Sequence, residues 1–133
     1  MRTAMPVILR KKVLVVDDDF TNVALLKRYV VSAGFDVDTA YNGKEALEKV
    51  AKELPDLILL DSIMPEMTGF EVCRQLRADE RAKKVPILMV TGLKTEADSL
   101  QARMSGANEV LVKPVSEKDL IDRIRAHLKS TFR

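Results

Sequence analysis

Along the chain, short runs of Val, Ile and Leu alternate with longer stretches in which apolar residues recur every three or four positions. The runs KVLVV (12–16), LILL (57–60), PILMV (86–90) and EVLV (109–112) are apolar at nearly every position, the pattern of strands buried on both faces. DVDTA (36–40) differs, because Val37 and Thr39 alternate with polar neighbours as in an edge strand. Helices are predicted between these runs. Residues 21–33 place Val23, Leu26, Val30 and Ala33 on one face, and Gly34 follows as a stop. Residues 43–53 group Ala46, Leu47 and Val50 ahead of Pro55. Segment 68–78 presents Phe70, Cys73 and Leu76, and segment 95–104 presents Ala97, Leu100 and Met104. Ser116 is placed as the cap of a last helix ending near Leu128.

Five strand–helix units in series predict an α/β fold: a doubly wound, five-stranded parallel sheet with five helices on its two faces. No repeat, low-complexity tract or linker interrupts the series, so residues 1–133 are read as a single domain with its core at about 12–128. That length suffices to bury about two thirds of the unfolded-chain surface.

Composition narrows the function classes. The chain is 47% hydrophobic and 32% charged, ordinary for a globular protein. Its 22 basic and 20 acidic residues are mixed, so no basic stripe marks a direct nucleic-acid footprint. The N-terminal MRTAMPVILRKK has too short an apolar run for a signal peptide, and no stretch is long enough to span a membrane. A single cysteine, Cys73, forms no internal disulfide and reads as a small core residue, so a cytoplasmic protein is expected.

In such sheets ligands collect outside the carboxyl ends of the strands. Asp17, Asp18 and Asp19 follow strand one, Asp61 strand three, Thr91 strand four and Lys113-Pro114 strand five. Three readings of the aspartate run are open: a nucleophile with an acid/base partner, a metal cradle serving a nucleophile elsewhere, or a polar loop. Bare carboxylates 4 Å apart repel by roughly 4 kcal/mol per pair at an effective dielectric near 20, unless a cation intervenes. Mg²⁺ suits such oxygen donors, and a hydroxyl and an ammonium beside them suit a phosphoryl group. No Gly-rich phosphate loop is present, so a bound nucleotide is not expected. Phosphoryl transfer to a carboxylate, giving a mixed anhydride, fits the inventory.

The ordered set VVDDD, LLDSIMPEMTGFE, MVTG and VLVKP resembles the receiver domain of bacterial two-component response regulators, of the single-domain, chemotaxis-regulator-like kind, which implies a flavodoxin-like fold with strand order 2-1-3-4-5. The resemblance implies that Asp61 accepts a phosphoryl group from the phosphohistidine of a sensor histidine kinase or a phosphotransfer protein. It implies that Asp17, Asp18, Asp61 and the Ile63 backbone carbonyl hold Mg²⁺, and that Thr91 and Lys113 contact the transferred group. A cis Lys113-Pro114 bond is implied, and Met64, Pro65 and Gly69 match the loop after the acceptor, with Gly69 allowing a sharp turn. The protein is then no enzyme in the ordinary sense, but a phosphoacceptor switch that promotes its own phosphorylation and slow dephosphorylation. An output protein or domain would read the helix 4–strand 5–helix 5 face. Asp119 and Arg123 form either a helix pair or part of a homodimer surface, and His127 is expected to be exposed.

Two departures from the family pattern stand out. Val110 replaces the Tyr or Phe whose ring moves with the threonine, which leaves the activation coupling open. Ile63 and Leu93 are apolar where receivers flank the path of the hydrolytic water, so slow dephosphorylation is expected. A rival remains in D-x-D-x-T, the first motif of haloacid-dehalogenase-like phosphatases, in which Asp17 would be the nucleophile and Asp19 its acid/base. That family needs an acidic pair after the lysine, whereas only helix five follows, and it gives Asp61 no role. Asp19 otherwise reads as a helix-start residue.

Overall fold

The computed structural model describes residues 10–128, so residues 1–9 of the N-terminal stretch read as too short for a signal peptide fall outside them. Five strands, β1 (Lys12–Val16), β2 (Asp36–Ala40), β3 (Leu57–Leu60), β4 (Ile87–Thr91) and β5 (Glu109–Val112), form one parallel sheet in the order β2-β1-β3-β4-β5. Five helices alternate with them: α1 (Phe20–Ser32), α2 (Gly43–Lys52), α3 (Gly69–Ala78), α4 (Glu96–Ser105) and α5 (Glu117–Leu128). The doubly wound architecture and strand order are those expected. Among the described residues, no helix is long and apolar enough to cross a membrane.

Successive side chains of a strand face opposite ways, so each central strand feeds two cores. Leu14, Val16, Ile58, Leu60, Ile87 and Met89 pack with α2, α3 and α4. Val13, Val15, Leu57, Leu59, Leu88 and Val90 pack with α1 and α5. Helix starts are marked by side-chain caps. Asp19 accepts from the Thr21 and Asn22 N–H groups, Asn42 from Glu45, and Ser116 from Asp119 (3.1 Å). Thr68 with Glu71 and Thr95 with Asp98 form reciprocal capping boxes.

Several sequence expectations fail locally. Ala97, Leu100 and Met104, expected on the inner face of α4, are all exposed, Met104 at 77%. The face that packs inward carries the small residues Ala102 and Ser105, because α4 lies close to its neighbours. β5, expected to be fully buried, is an edge strand, half-buried and exposed at Val112. Cys73 is fully buried, as expected, and burial pushes its thiol pKa up. His127 is half-buried rather than exposed, since its Nε2 bonds Glu109 on β5. Arg123 pairs with Glu109 (Nη2 to Oε2, 2.8 Å), which goes against the helix-pair reading of Asp119 and Arg123.

Candidate functional site

The carboxyl ends of β1, β3, β4 and β5 bring the strand-end residues together. Asp17 is 1% exposed and Asp61 8% exposed, while Asp18 faces solvent. One carboxylate oxygen from each lies within 4.8 Å of the others. Lys113, delivered from beyond β5, places its Nζ 2.8 Å from Asp17 Oδ2 and 3.6 Å from Asp61 Oδ1. The peptide bond between Lys113 and Pro114 is cis. Three carboxylates against one ammonium leave a surplus of negative charge in a largely dry corner.

The electrostatics follow from this surplus. Burial, reinforced by the charge of Asp17, pushes the Asp61 pKa up to about 6, against the opposing pull of Lys113 and of the Ile63 backbone N–H. Burial disfavours the Lys113 charge, but its bond to Asp17 and the charges of both aspartates outweigh that and raise its pKa. The donor set is all oxygen, hard, and open on the Asp18 side. It fits a magnesium-like cation that keeps several waters.

Both oxygens of Asp17 are engaged, since Oδ1 accepts the Asp19 N–H (2.9 Å) and Oδ2 the Lys113 ammonium. Asp19 is exposed and spends its carboxylate capping α1. The D-x-D arrangement of a phosphatase therefore lacks a free acid/base at its second aspartate.

Loop 61–68 is shaped by close approach rather than by the expected glycine turn. A Cβ on Gly69 would lie 2.0 Å from the Asp61 carbonyl oxygen, so only glycine fits, and its N–H donates to the Ser62 carbonyl (2.8 Å). The left-handed residue of the loop is Glu66, at φ 70°. Met64 is buried and anchors the segment, while Pro65 is exposed.

Thr91 is buried, and its hydroxyl bonds Ser62 Oγ and accepts from the Leu93 N–H (3.1 Å). Ser62 went unnoticed in the sequence, because a serine beside an aspartate carries no signal of a partner on another strand. Ile63 is 53% exposed beside the carboxylates, and Leu93 is half-buried against the α2–α4 core. Val110 packs against that same core from β5, away from the carboxylate cluster.

Residues 13–125 match the response regulator receiver domain family. The chain belongs to that family. Response regulator PleD of Caulobacter vibrioides is 41% identical to this receiver domain over 115 residues, which span 86% of this chain and 25% of that protein. The alkaline phosphatase synthesis transcriptional regulatory protein PhoP of Bacillus subtilis is 41% identical over 121 residues, 91% of this chain and 50% of that protein. The receiver domain thus spans a quarter to a half of the length of these relatives. Among solved structures, the chemotaxis protein CheY4 of Vibrio cholerae matches with a TM-score of 0.86 at 35% identity, covering 90% of this chain and 100% of that one. A two-component response regulator from Clostridium difficile matches with a TM-score of 0.86 at 29% identity, covering 93% and 100%. The fold is the flavodoxin-like fold of these CheY-type receivers.

Proposed function

We propose that this receiver domain is a cytoplasmic phosphorylation switch in which Asp61 accepts a phosphoryl group from the phosphohistidine of a sensor histidine kinase or phosphotransfer protein. The observation that carries the reading is the carboxylate cluster with Lys113 bridging Asp17 and Asp61. An oxygen of ionised Asp61 attacks phosphorus while the bond from phosphorus to the donor's imidazole nitrogen breaks. The electron pair leaves with the imidazole, and an acyl phosphate remains on Asp61. With its pKa near 6, Asp61 is largely ionised at neutral pH and keeps a basic, reactive oxygen.

Asp17, Asp18, Asp61 and the Ile63 backbone carbonyl would hold Mg²⁺, which supplies charge neutralisation for the transferred group when bound. Lys113, already within reach of both buried carboxylates, pairs with the phosphoryl oxygens, and the Thr91 hydroxyl donates to them. Ile63 and Leu93 offer no hydrogen-bonding side chain to orient water at the acyl phosphate, so the phosphorylated state is long-lived. Replacing them, as in Ile63→Asn with Leu93→Glu, shortens the phosphoryl half-life. An unchanged half-life would remove both from the lifetime machinery.

Output runs through the α4–β5–α5 face, on which Val112 is an exposed apolar contact for a downstream protein or a second copy of this chain. With Val110 in place of an aromatic ring, the change at Thr91 reaches that face through core packing. Partner affinity must differ between the two states for phosphorylation to switch it.

Incubation with labelled acetyl phosphate and Mg²⁺ tests the acceptor. Wild type retains label, and Asp61→Asn does not. Label kept by Asp61→Asn but lost by Asp17→Asn would reverse the assignment.

A further inference from the structure

Ser62 is fully buried, and its one side-chain bond is to the hydroxyl of Thr91. Both side chains lie toward the core under α3 and α4: Thr91 follows Ile87 and Met89 in the alternation of β4, and these two face that core. The Thr91 oxygen also accepts the Leu93 N–H, so two groups hold it at this position. Asp61, meanwhile, takes its stabilising contacts from Lys113 and the Ile63 N–H.

Ser62 has little freedom to follow if Thr91 moves. Its carbonyl accepts the Gly69 N–H at 2.8 Å, and the Gly69 α-carbon packs so tightly that an added Cβ would lie 2.9 Å from the Ser62 Cα. Among the described residues no buried side-chain polar atom lacks a partner. Turning the Thr91 hydroxyl toward a group on Asp61 breaks this balance, because Ser62 Oγ is left buried and unpaired.

We infer that Ser62 is a positioning residue that latches the Thr91 hydroxyl away from Asp61 and biases the domain toward its resting state. The inference rests on the proposed role of Asp61 as phosphoacceptor and names a control on that site. One buried hydrogen bond of ordinary net strength corresponds to roughly a five- to tenfold bias.

Beryllium fluoride, a tetrahedral phosphoryl mimic, tests the latch when titrated with Mg²⁺ into the full chain. Ser62→Ala, which removes one oxygen and little volume, should bind the mimic roughly five- to tenfold tighter than wild type. Thr91→Val should bind it more weakly, and adding Ser62→Ala to Thr91→Val should bring no further change. Unchanged or weaker binding by Ser62→Ala alone would overturn the latch. A second readout does not depend on Asp61 chemistry: three-bond couplings report the Thr91 side-chain rotamer in the metal-free protein. Wild type should show one rotamer and Ser62→Ala an average of several, and a single unchanged rotamer in Ser62→Ala also overturns the latch. If wild type fails to bind the mimic, or Asp61→Asn binds it equally, the phosphoacceptor assignment falls and the rotamer measurement alone decides the latch.

Discussion

Two polar clusters sit at different places around the same sheet, and they are built on opposite principles. Around Arg77, near the end of α3, one guanidinium meets only acceptors. It donates to the carbonyls of Gly106 (2.8 Å), Val85 (2.8 Å) and Lys83 (3.2 Å), and to Asn108 Oδ1 (2.9 Å), which in turn accepts the Ile87 N–H. Donors are matched to carbonyl and amide acceptors there, and the loops before β4 and β5 are tied down. At the carboxylate end, by contrast, three acidic groups share one lysine, and burial pushes Asp61 up to about 6. A saturated cluster stabilises the fold, whereas an under-compensated one keeps an unmet demand for positive charge that a ligand can fill.

Breaking each cluster should expose the difference, and the largest effect belongs to packing beneath the carboxylates. Gly69→Ala puts a methyl 2.0 Å from the Asp61 carbonyl oxygen, which is backbone and cannot swing aside. A stability loss of about 3 kcal/mol or more in urea unfolding is expected, with phosphorylation impaired even in the folded fraction. Arg77→Met comes next. It strands several half-buried carbonyls and should cost about 2–3 kcal/mol, yet leave the phosphorylation rate of the folded protein near that of wild type. An Arg77→Met protein as stable as wild type would refute the structural reading of that cluster.

Asp61→Asn should act in the opposite sense. The folded-state pKa of Asp61 lies above its ordinary value of 3.8, so the folded protein binds this proton more tightly than the unfolded chain does. The penalty for ionising Asp61 is absent below about pH 4, develops as pH rises, and is complete above the folded value near 6. In EDTA, Asp61→Asn should therefore stabilise the protein at pH 8 by up to about 3 kcal/mol and by almost nothing at pH 4. Equal gains at both pH values would contradict the shift.

The smallest effect concerns the cation itself. Mg²⁺ at about ten times its dissociation constant should stabilise wild type by about 1.4 kcal/mol at neutral pH. Melting of Asp17→Asn should respond much less to Mg²⁺. Arg77→Met should keep the full response, because its cluster has no surplus negative charge to satisfy.

Legibility in the sequence followed how local each cause is. The five strands and five helices could be read because alternation and helical period are properties of neighbours in the chain, and the strand order followed from the resemblance to receiver domains. Asp17, Asp61, Thr91 and Lys113 could be picked out because each lies at the carboxyl end of an apolar run, the place where such sheets gather ligands. The face of α4 was misread, since the hydrophobic pattern weights large residues such as Leu100 and Met104, while close helix packing selects the small Ala102 and Ser105. Glu109 took both Arg123 and His127 from α5, because a contact between elements outcompeted a pair with Asp119 within the helix.

By itself, then, the sequence determined the fold class, the order of the elements along the chain and which acidic residues stand at the carboxyl edge of the sheet, for all of these depend on local pattern and position along each strand. Tertiary structure alone decided how the charges are shared. It gave each Asp17 oxygen a hydrogen-bond partner, left Asp61 buried with a raised pKa, joined Ser62 beyond β3 to Thr91 on β4, and set Gly69 against the Asp61 backbone. The reason is physical: hydrogen-bond partners, dielectric and steric clearance are set by groups remote in the chain, and they acquire values only when the sheet brings those groups together.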